Sequence, residues 1–452
     1  MSEERVNFGS KLGIILATAG SAVGLGNAWR FPYMTGENGG AAFILVYFAC
    51  VLFLGIPCMV SEFIIGRHGA ANTARAYTKL NNGRHNLIGY LGVLTAFLIT
   101  GYYAVVSGWC LQYVYAAIMG ELVGDAKYVE TYFNEFSSSP LRPIFWTVAI
   151  LLLTHLIINK GVRGGIERAS KLMMPTLFIL LVVLVVCSCM LPGASEGIKF
   201  LLMPRFDEIN RGVFLNALGQ SFYSLSIAMG CICTYASYFS RRTNLLSSAV
   251  QISLVDSFVA ILAGLLIFPA AFSVGVNPNS GPSLVFITLP NVFNQAFAAI
   301  PWLGVMVSVM FFVLLSLAAL TSLISLHEVS TAFLFEELHT TRPRGAAIVT
   351  VSTCVIGILC SLSLGSCPQL SLFGKSLFDI FDFVTGNIML PLGGFLTCLF
   401  LGWRVDTDIV RDEFTNWGTL WGKGLFSVYL FLIRFVCPLA IVAVFLHQLE
   451  VF

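Results

Sequence analysis

Long apolar stretches alternate with short polar connections along nearly the whole chain. A helix needs about 20 apolar residues to cross the hydrocarbon core of a bilayer, so this pattern predicts an all-α polytopic membrane protein. We number the predicted membrane segments 1 to 11 and keep these numbers throughout. Their bounds are 11–36, 41–67, 88–120, 142–158, 166–191, 212–240, 246–275, 301–338, 345–364, 375–403 and 425–448.

Two of these segments are interrupted by glycine and polar residues. The interruptions are Gly20, Gly24, Gly26, Asn27 and Arg30 in segment 1 and Ser221, Ser224, Ser226 and Gly230 in segment 6. Backbone leaves the helix at membrane depth only where protein or water satisfies its polar groups, and broken helices form the ion and substrate sites of transporters. For segment 6, close helix packing through small residues is the alternative.

Each interrupted segment opens a block of five segments, which is typical of an inverted repeat with its binding site at the repeat interface. We therefore expect one transmembrane domain over residues 1–452. Its first repeat would cover about 11–191, its second about 212–403, and an extra segment about 425–448.

Composition excludes most other classes of protein. The chain of 452 residues is 57% hydrophobic and 11% charged, whereas an average soluble protein is about 25% charged. The net charge of +2 comes without a basic tract, so no nucleic-acid partner is expected. Most of the 12 cysteines lie inside apolar segments, where cysteine acts as a small apolar residue.

Neither an enzyme nor a channel is expected. The histidines are scattered without a HExxH motif or a Ser/His/Asp grouping, and His327 beside Glu328 is the nearest acid–base candidate. A channel requires a continuous polar lining, whereas the polar positions concentrate in segments 1 and 6.

The distribution of basic residues predicts the orientation. Lysine and arginine cluster before segment 1 and in alternate loops after it, whereas the loop 121–140 is acidic and 276–300 is uncharged. By the positive-inside rule, the N-terminus is cytoplasmic and the C-terminus external.

Glu3 and Glu4 and the missing cleavage site argue against a signal peptide. Short termini favour the cytoplasmic (inner) membrane of a prokaryote, and loop 276–300 is expected to cover the external mouth.

Several motifs resemble those of one family. They are Gly20 to Pro32, ENGG at Glu37 to Gly40, the pair Tyr102 and Tyr103, TYASY at Thr234 to Tyr238, GPSLVFITLP at Gly281 to Pro290, and ALTS at Ala319 to Ser322. With these motifs the chain resembles the neurotransmitter:sodium symporters, which include bacterial amino-acid transporters of eleven spans. The resemblance implies the LeuT-type fold, a 5+5 inverted repeat with discontinuous segments 1 and 6.

The resemblance also implies two sodium sites and no organic cofactor. The first would use the Ala22 carbonyl with Asn27, Ser224 and Asp256, completed by the substrate carboxylate. The second would use the carbonyls of Gly20, Val23 and Ala318 with the hydroxyls of Thr321 and Ser322. Alternatively, Thr321 and Ser322 only bond back to their own helix.

A substrate site follows from the same resemblance. Monoamine carriers have an aspartate where this chain has Gly24, so Gly24 indicates an α-amino acid whose carboxylate meets the amides of Leu25 and Gly26. The amine would meet carbonyls around Ala22, Tyr223 and Ser226. The matching pocket residues are Ser21, Ile99, Tyr103, Tyr223, Ser224, Ser226, Met229, Ser322, Ser325 and Leu326. Apolar walls favour a hydrophobic or aromatic side chain, although the serines could bond a hydroxyl or an indole.

Asp256 departs from the pattern of chloride-dependent relatives. They bind chloride through residues matching Tyr47, Gln220 and Ser224 and a serine at the position of Ala260. A carboxylate inside a membrane is a functional hypothesis by default. We expect Asp256 to replace chloride, and a further hypothesis is that it takes up a proton on the return step.

Gates are implied at both ends of the site. Arg30 would pair with Asp382 above Tyr103 and Tyr223, unless Arg30 only reaches out to water. Arg5 would pair with Glu336 near Tyr238, unless Arg5 is only an inside-positive anchor. In segment 5, Gly165 and Pro175 have the spacing at which bacterial relatives unwind.

These expectations combine into one function. The chain is predicted to import a hydrophobic or aromatic L-amino acid with sodium, by alternating access and without chloride. The alternative is a non-transporting amino-acid sensor of the same fold, in which every site residue would be shared.

Overall fold

Helices occupy the predicted membrane segments closely. The structure, a computed structural model, describes residues 8–80, 86–275, 284–372, 374–419 and 423–448. Arg5 and the first part of loop 276–300 therefore lie outside the described residues. Within these ranges, nine helices are long and apolar enough to span a membrane. They are Ala41–Gly69, Leu87–Ile118, Arg142–Asn159, Val162–Cys189, Leu245–Ser273, Pro301–Glu337, Arg342–Ser363, Leu377–Arg404 and Gly424–Gln448.

Segments 1 and 6 are each broken, as predicted. Segment 1 consists of Lys11–Ala22 and Gly26–Glu37, which meet at a bend of 52°. Segment 6 consists of the short helices Arg211–Ser224 and Cys231–Ala236, with residues 225–230 unwound between them. Because neither half of segment 6 is long enough to span a membrane alone, the total of eleven spans remains a prediction.

Short elements connect the segments. The connecting helices are Thr73–Leu80, Ala126–Ser138, Ala194–Leu202, Phe206–Glu208, Leu289–Ala296, Pro368–Leu370 and Thr407–Phe414. Single π-helical turns lie at Gly26–Arg30, Val51–Gly55, Val162–Glu167, Leu284–Thr288, Val384–Met389, Phe400–Arg404 and Leu432–Val436. The sequence did not predict the small antiparallel hairpin of Ser371–Leu372 and Lys375–Ser376.

The core lies along segments 3 and 7, whose residues are mostly buried. Segments 4, 5 and 11 instead expose large apolar side chains, among them Leu156, Leu172 and Leu439. An apolar outer surface of this kind fits hydrocarbon rather than water. Segment 7 carries Asp256 at the centre of the bundle, beside the break in segment 1.

Candidate ion and substrate site

The break in segment 1 is held by a side chain. The first helix ends at Ala22, and Val23 has an extended backbone conformation (φ −71°, ψ 97°). The freed N–H of Gly24 donates to Asn27 Oδ1 over 3.1 Å. Asn27 thus replaces a helical acceptor with a side-chain oxygen, and the carbonyls around the break face the polar side chains of segments 6 and 8.

The space around Gly24 leaves little room for a side chain. A Cβ at this position would lie 2.5 Å from Ser322 Oγ and 3.3 Å from the Tyr103 hydroxyl. The next residue, Leu25, donates its N–H to that hydroxyl over 3.2 Å. A side chain at position 24 would therefore require the Ser322 hydroxyl, and to a lesser extent the Tyr103 side chain, to move.

The unwound part of segment 6 has a strained backbone. Ser226 and Ala228 have positive φ values of 54° and 68°, and Gly230 has 74°. Ser226 Oγ donates to the Ser21 carbonyl over 2.9 Å, which joins the two breaks. The N–H of Ala228 donates to Glu62 Oε1 over 2.5 Å, a partner that the sequence did not reveal.

Asp256 lies at the centre of a buried polar cluster. Asn27 Nδ2 donates to Asp256 Oδ1 over 2.8 Å and to its carbonyl over 3.1 Å. Ser224 Oγ and the Tyr47 hydroxyl donate to Oδ2 over 2.6 and 3.3 Å. The side chains predicted for the first sodium site are therefore together, and both carboxylate oxygens accept hydrogen bonds.

The second predicted sodium site also brings two segments together. Thr321 Oγ1 lies 3.4 Å from the Val23 carbonyl and 2.9 Å from the Ala318 carbonyl, while Ser322 Oγ lies 3.4 Å from the Ser21 carbonyl. Thr321 also contacts the Leu317 carbonyl of its own helix at 3.1 Å. Thr321 thus reaches across to segment 1 as well as back to its own helix, and Ser322 reaches across to segment 1. A Cβ added to Gly20 would lie 3.4 Å from Thr321 Cβ.

The pocket residues lie around the two breaks. Ile99, Met229 and Leu326 are buried, and Tyr103 and Tyr223 are half-buried. Ser325 Oγ donates to the Thr321 carbonyl over 3.1 Å and contacts the Tyr235 hydroxyl at 2.9 Å. Ser226 and Ser325 donate to backbone carbonyls in this arrangement, so each hydroxyl oxygen is available as an acceptor for a substrate. The Tyr223 ring restricts the size of the residue at position 26, because a Cβ added to Gly26 would lie 3.1 Å from this ring.

At one end of the site, which we call the Arg30 end, the predicted pair is not formed. The Arg30 guanidinium lies 4.4 Å above the centre of the Tyr223 ring. Asp382 is exposed, and the ion pairs within 4 Å that the structure describes do not include Arg30 with Asp382. Arg30 therefore stacks on the aromatic side chain instead of closing the site.

The opposite end, which we call the Glu328 end, holds a buried network. Tyr238 donates its hydroxyl proton to Glu328 Oε1 over 2.7 Å, and Arg342 Nη2 lies 2.5 Å from Glu328 Oε2. Glu336 accepts from the N–H and Nδ2 of Asn72 over 2.7 and 3.0 Å. Arg5, its predicted partner, lies outside the described residues. Tyr238 was expected close to Glu336, and its hydroxyl contacts Glu328.

Sequence reasoning missed the role of Glu328 and Arg342. A carboxylate in an apolar segment, followed 14 residues later by an arginine that opens the next helix, was the signal that could have indicated them. The Phe8 ring packs edge-on against Tyr235 and Tyr238, with 6.0 Å between ring centres. An aromatic layer thus covers the network.

Glu167 joins segment 5 to the start of segment 1. Its carboxylate accepts from the Gly9 N–H over 2.7 Å and from Ser10 Oγ over 2.9 Å, and it pairs with Lys171 Nζ at 2.6 Å. Segment 5 begins with the π-helical turn Val162–Glu167, which contains Gly165, and Pro175 lies farther along it. A Cβ on Gly165 would lie 2.0 Å from the Ile157 carbonyl.

Two helix breaks with freed carbonyls and a buried carboxylate, inside a membrane bundle, define the class of ion-coupled secondary transporters. The profile of the sodium:neurotransmitter symporter family matches residues 5–135 and 137–452. The chain belongs to this family of sodium-dependent transporters, which are not enzymes.

Individual relatives agree with the family assignment. An uncharacterised sodium-dependent transporter of Bacillus subtilis is 39% identical over 456 residues, covering 100% of this chain and 99% of the relative. Another from Haemophilus influenzae is 34% identical over 462 residues, covering 99% of each chain. The sequence of MhsT, whose crystal structure in complex with L-phenylalanine is known, is 39% identical to this chain. The two structures match with a TM-score of 0.88, covering 98% of this chain and 100% of MhsT.

Proposed function

We propose that this protein imports a hydrophobic or aromatic L-amino acid together with sodium, by alternating access. The Arg30 end would face the outside and the Glu328 end the cytoplasm, in accordance with the positive-inside rule. The membrane would be the cytoplasmic membrane of a prokaryote. The observation that carries the proposal is the paired break of segments 1 and 6, joined by the hydrogen bond from Ser226 to Ser21.

The substrate assignment rests on Gly24 and the apolar walls. No charged side chain is available at position 24 to meet an amine, so the carboxylate of an α-amino acid fits beside the amides of Leu25 and Gly26. Met229, Ile99 and Leu326 offer apolar contact for the substrate side chain, and burial of an aromatic ring contributes most. The complex of MhsT with L-phenylalanine supports this substrate class.

Two sodium sites accompany the substrate in this proposal. At the first site sodium would bind Asn27 Oδ1, Ser224 Oγ and the Asp256 carboxylate, in place of the hydrogen bonds that Asn27 Nδ2 and Ser224 Oγ now donate to Asp256. At the second it would replace the contacts of Thr321 with the carbonyls of Val23 and Ala318. All of these groups present oxygen, the ligand atom that hard cations prefer.

Chloride independence rests on Asp256. Tyr47 and Ser224, which match chloride-binding residues of relatives, both donate to Asp256 Oδ2. Donors that bind a fixed carboxylate are not free for a chloride ion. Asp256 therefore supplies the negative charge beside the first sodium site, and Asp256→Ser would make transport depend on chloride.

Uptake by proteoliposomes tests the proposal. We expect accumulation of labelled L-phenylalanine, L-tryptophan, L-tyrosine or L-leucine from sodium gluconate, with equal rates in sodium chloride and none in potassium chloride. The alternative, a sensor, would bind these amino acids in sodium without accumulating them. Accumulation only in sodium chloride would contradict the role of Asp256, and sodium-independent accumulation would contradict both ion sites.

A further inference from the structure

Glu62 is a second carboxyl group inside the membrane bundle, and the sodium and substrate sites do not use it. It lies on the helix Ile56–Gly69 of segment 2 and is 2% exposed. Its Oε1 accepts the N–H of Ala228 over 2.5 Å. Its Oε2 is buried without a hydrogen-bond partner in the described part of the chain.

Glu62 borders a small cavity between parts of the protein that would move against each other. The cavity lies among segments 2, 6, 3 and 10, and Thr73, Gly92, Gly230 and Thr397 contribute to its walls. Its volume of about 10 Å³ is close to what one water molecule needs. The proposed alternating access would rock segments 1, 2, 6 and 7 against the rest of the bundle. Segments 2 and 6 would then move relative to segments 3 and 10, so the cavity would open and close.

Among the residues that the structure describes, none beside Glu62 is a compensating cation. The titratable groups that face it are Tyr77 from the connecting helix, Cys231 and Cys233 from segment 6, and Cys398 from segment 10. The cations nearest in sequence on segment 2 are committed elsewhere, because Arg67 and His68 both contact Glu413. The described residues that line the cavity include no lysine, arginine or histidine. An ionised carboxylate is costly in such a place, and the group takes up a proton instead.

Asp256 provides the contrast. Its two carboxylate oxygens accept three side-chain hydrogen bonds, from Asn27, Ser224 and Tyr47. Several side-chain donors on one carboxylate stabilise its charged form, whereas Glu62 meets only backbone donors, those of Ala228 and Cys233. Asp256 thus has the surroundings of an anion, whereas Glu62, without a side-chain donor, has those of a neutral acid.

We propose that Glu62 is a proton-binding site, neutral in the conformation described here, whose proton leaves to water when the cavity opens during transport. The O–H bond of the acid breaks, the proton goes to a cavity water, and the carboxylate keeps the electron pair. The charged form binds the Ala228 N–H more tightly than the neutral form. Because Ala228 lies between the pocket residues Ser226 and Met229, the proton on Glu62 is coupled to the substrate site.

Infrared difference spectroscopy tests the resting state directly. The purified protein at neutral pH, without substrate, should give a carboxylic-acid C=O band that shifts in heavy water and is lost in Glu62→Gln. The matched variant Asp256→Asn should keep this band. Loss of the band in Asp256→Asn with retention in Glu62→Gln would overturn the assignment, as would a wild-type spectrum without the band. This measurement is independent of the transported substrate, so it can fail while the proposed function stands.

Proton movement tests the cycle. Proteoliposomes that contain a pH-sensitive dye should report a change of internal pH when L-phenylalanine and sodium are added to the wild type. Glu62→Gln keeps an oxygen for the Ala228 N–H, and retained sodium-dependent binding of L-phenylalanine serves as its check of folding. In this variant the pH change should be reduced to the part that Asp256 contributes by its own proton uptake, and uptake should depend less on internal pH. An unchanged pH response would overturn the proposal.

Discussion

The Arg30 end and the Glu328 end of the site differ in how their charged groups are paired. At the Arg30 end, Arg30 stacks on Tyr223 and Asp382 is exposed. At the Glu328 end, Glu328 is completely buried and contacts both Arg342 and Tyr238. Glu167 is buried near the start of segment 1 in the same way.

This difference indicates that the two ends open at different cost. Asp382 is exposed on one side but also lies beside the Tyr102 hydroxyl and the Arg30 charge, so it keeps part of its hydration whether or not it pairs with Arg30. Exposed ion pairs contribute about 0–1 kcal/mol. A buried carboxylate that loses its partner is left uncompensated, which costs about 3–5 kcal/mol. The conformation described here is therefore held closed at the Glu328 end, and opening that end requires water to replace each lost contact.

Of the substitutions that test this difference between the two ends, Arg342→Ala should have the largest effect on stability and uptake. Removal of the guanidinium leaves the Glu328 charge buried and unpaired, at a cost of about 3–5 kcal/mol, so the Glu328 end should open or the protein should lose stability. We expect faster hydrogen exchange in Cys231–Ala236 and a large loss of uptake. The double variant Arg342→Met with Glu328→Gln removes both charges and should recover much of the stability. If the single variant is as stable as the double, the buried pair does not hold this end closed.

Glu413→Gln should have the next largest effect, and the effect should depend on pH. Glu413 lies on the connecting helix Thr407–Phe414 and contacts Arg67 Nε at 2.6 Å and His68 Nδ1 at 3.2 Å. Burial raises the pKa of its carboxyl, but the hydrogen bond with His68 and the charge of Arg67 outweigh burial and hold the pKa below the ordinary value.

A lowered pKa in the folded state means that the carboxylate adds stability at neutral pH and loses it as pH falls through the folded pKa. Glu413→Gln should therefore cost about 2–3 kcal/mol at pH 7, and almost nothing well below about pH 4. Thermal unfolding in detergent at both values of pH measures this difference. Asp412→Asn, on the same helix, is the matched control, and an equal loss of stability at both values of pH would contradict the explanation.

Glu167→Gln should have a smaller effect, of about 1–2 kcal/mol, because a neutral amide keeps one acceptor but loses the charge. The partly exposed Lys171 adds little to the interaction. We expect faster hydrogen exchange at Gly9 and over the first turn of Lys11–Ala22, with the exchange of Leu245–Ser273 unchanged. Lys171→Gln leaves the Gly9 and Ser10 contacts in place and is the control. If hydrogen exchange is equally fast in Glu167→Gln and Lys171→Gln, the ion pair of Glu167 with Lys171, and not its hydrogen bonds to Gly9 and Ser10, joins segment 5 to segment 1.

The sequence predicts the segments and both breaks well, because these depend on local composition. Apolar length sets the helix bounds within a few residues, and Gly24 with Asn27 interrupts segment 1 in a place where only an unwound backbone fits. The partners of Asp256 were expected from the resemblance, and the structure brings Asn27, Ser224 and Tyr47 to it.

The missed contacts join residues far apart in the chain. Glu62 and Ala228 are 166 positions apart, and Tyr238 and Glu328 are 90 apart. No local pattern selects such a partner, because the choice among buried carboxylates depends on how the helices pack. The sequence also could not decide whether Arg30 pairs with Asp382, because the contacts of a gate depend on the conformation of the transporter, which the sequence does not specify.

Asp382→Asn should therefore have the smallest effect on the conformation described here. Arg30 stacks on Tyr223 without Asp382, so thermal stability without substrate should change by less than about 0.5 kcal/mol. If Asp382 pairs with Arg30 only when the Arg30 end closes, the same variant should still slow sodium-driven uptake of L-phenylalanine. Arg30→Lys would weaken the planar stacking on Tyr223 and is the matched variant, expected to lower stability as well as uptake. A loss of stability in Asp382→Asn equal to that in Arg30→Lys would mean that both ends of the site are held by charge pairs, and the contrast between them would disappear.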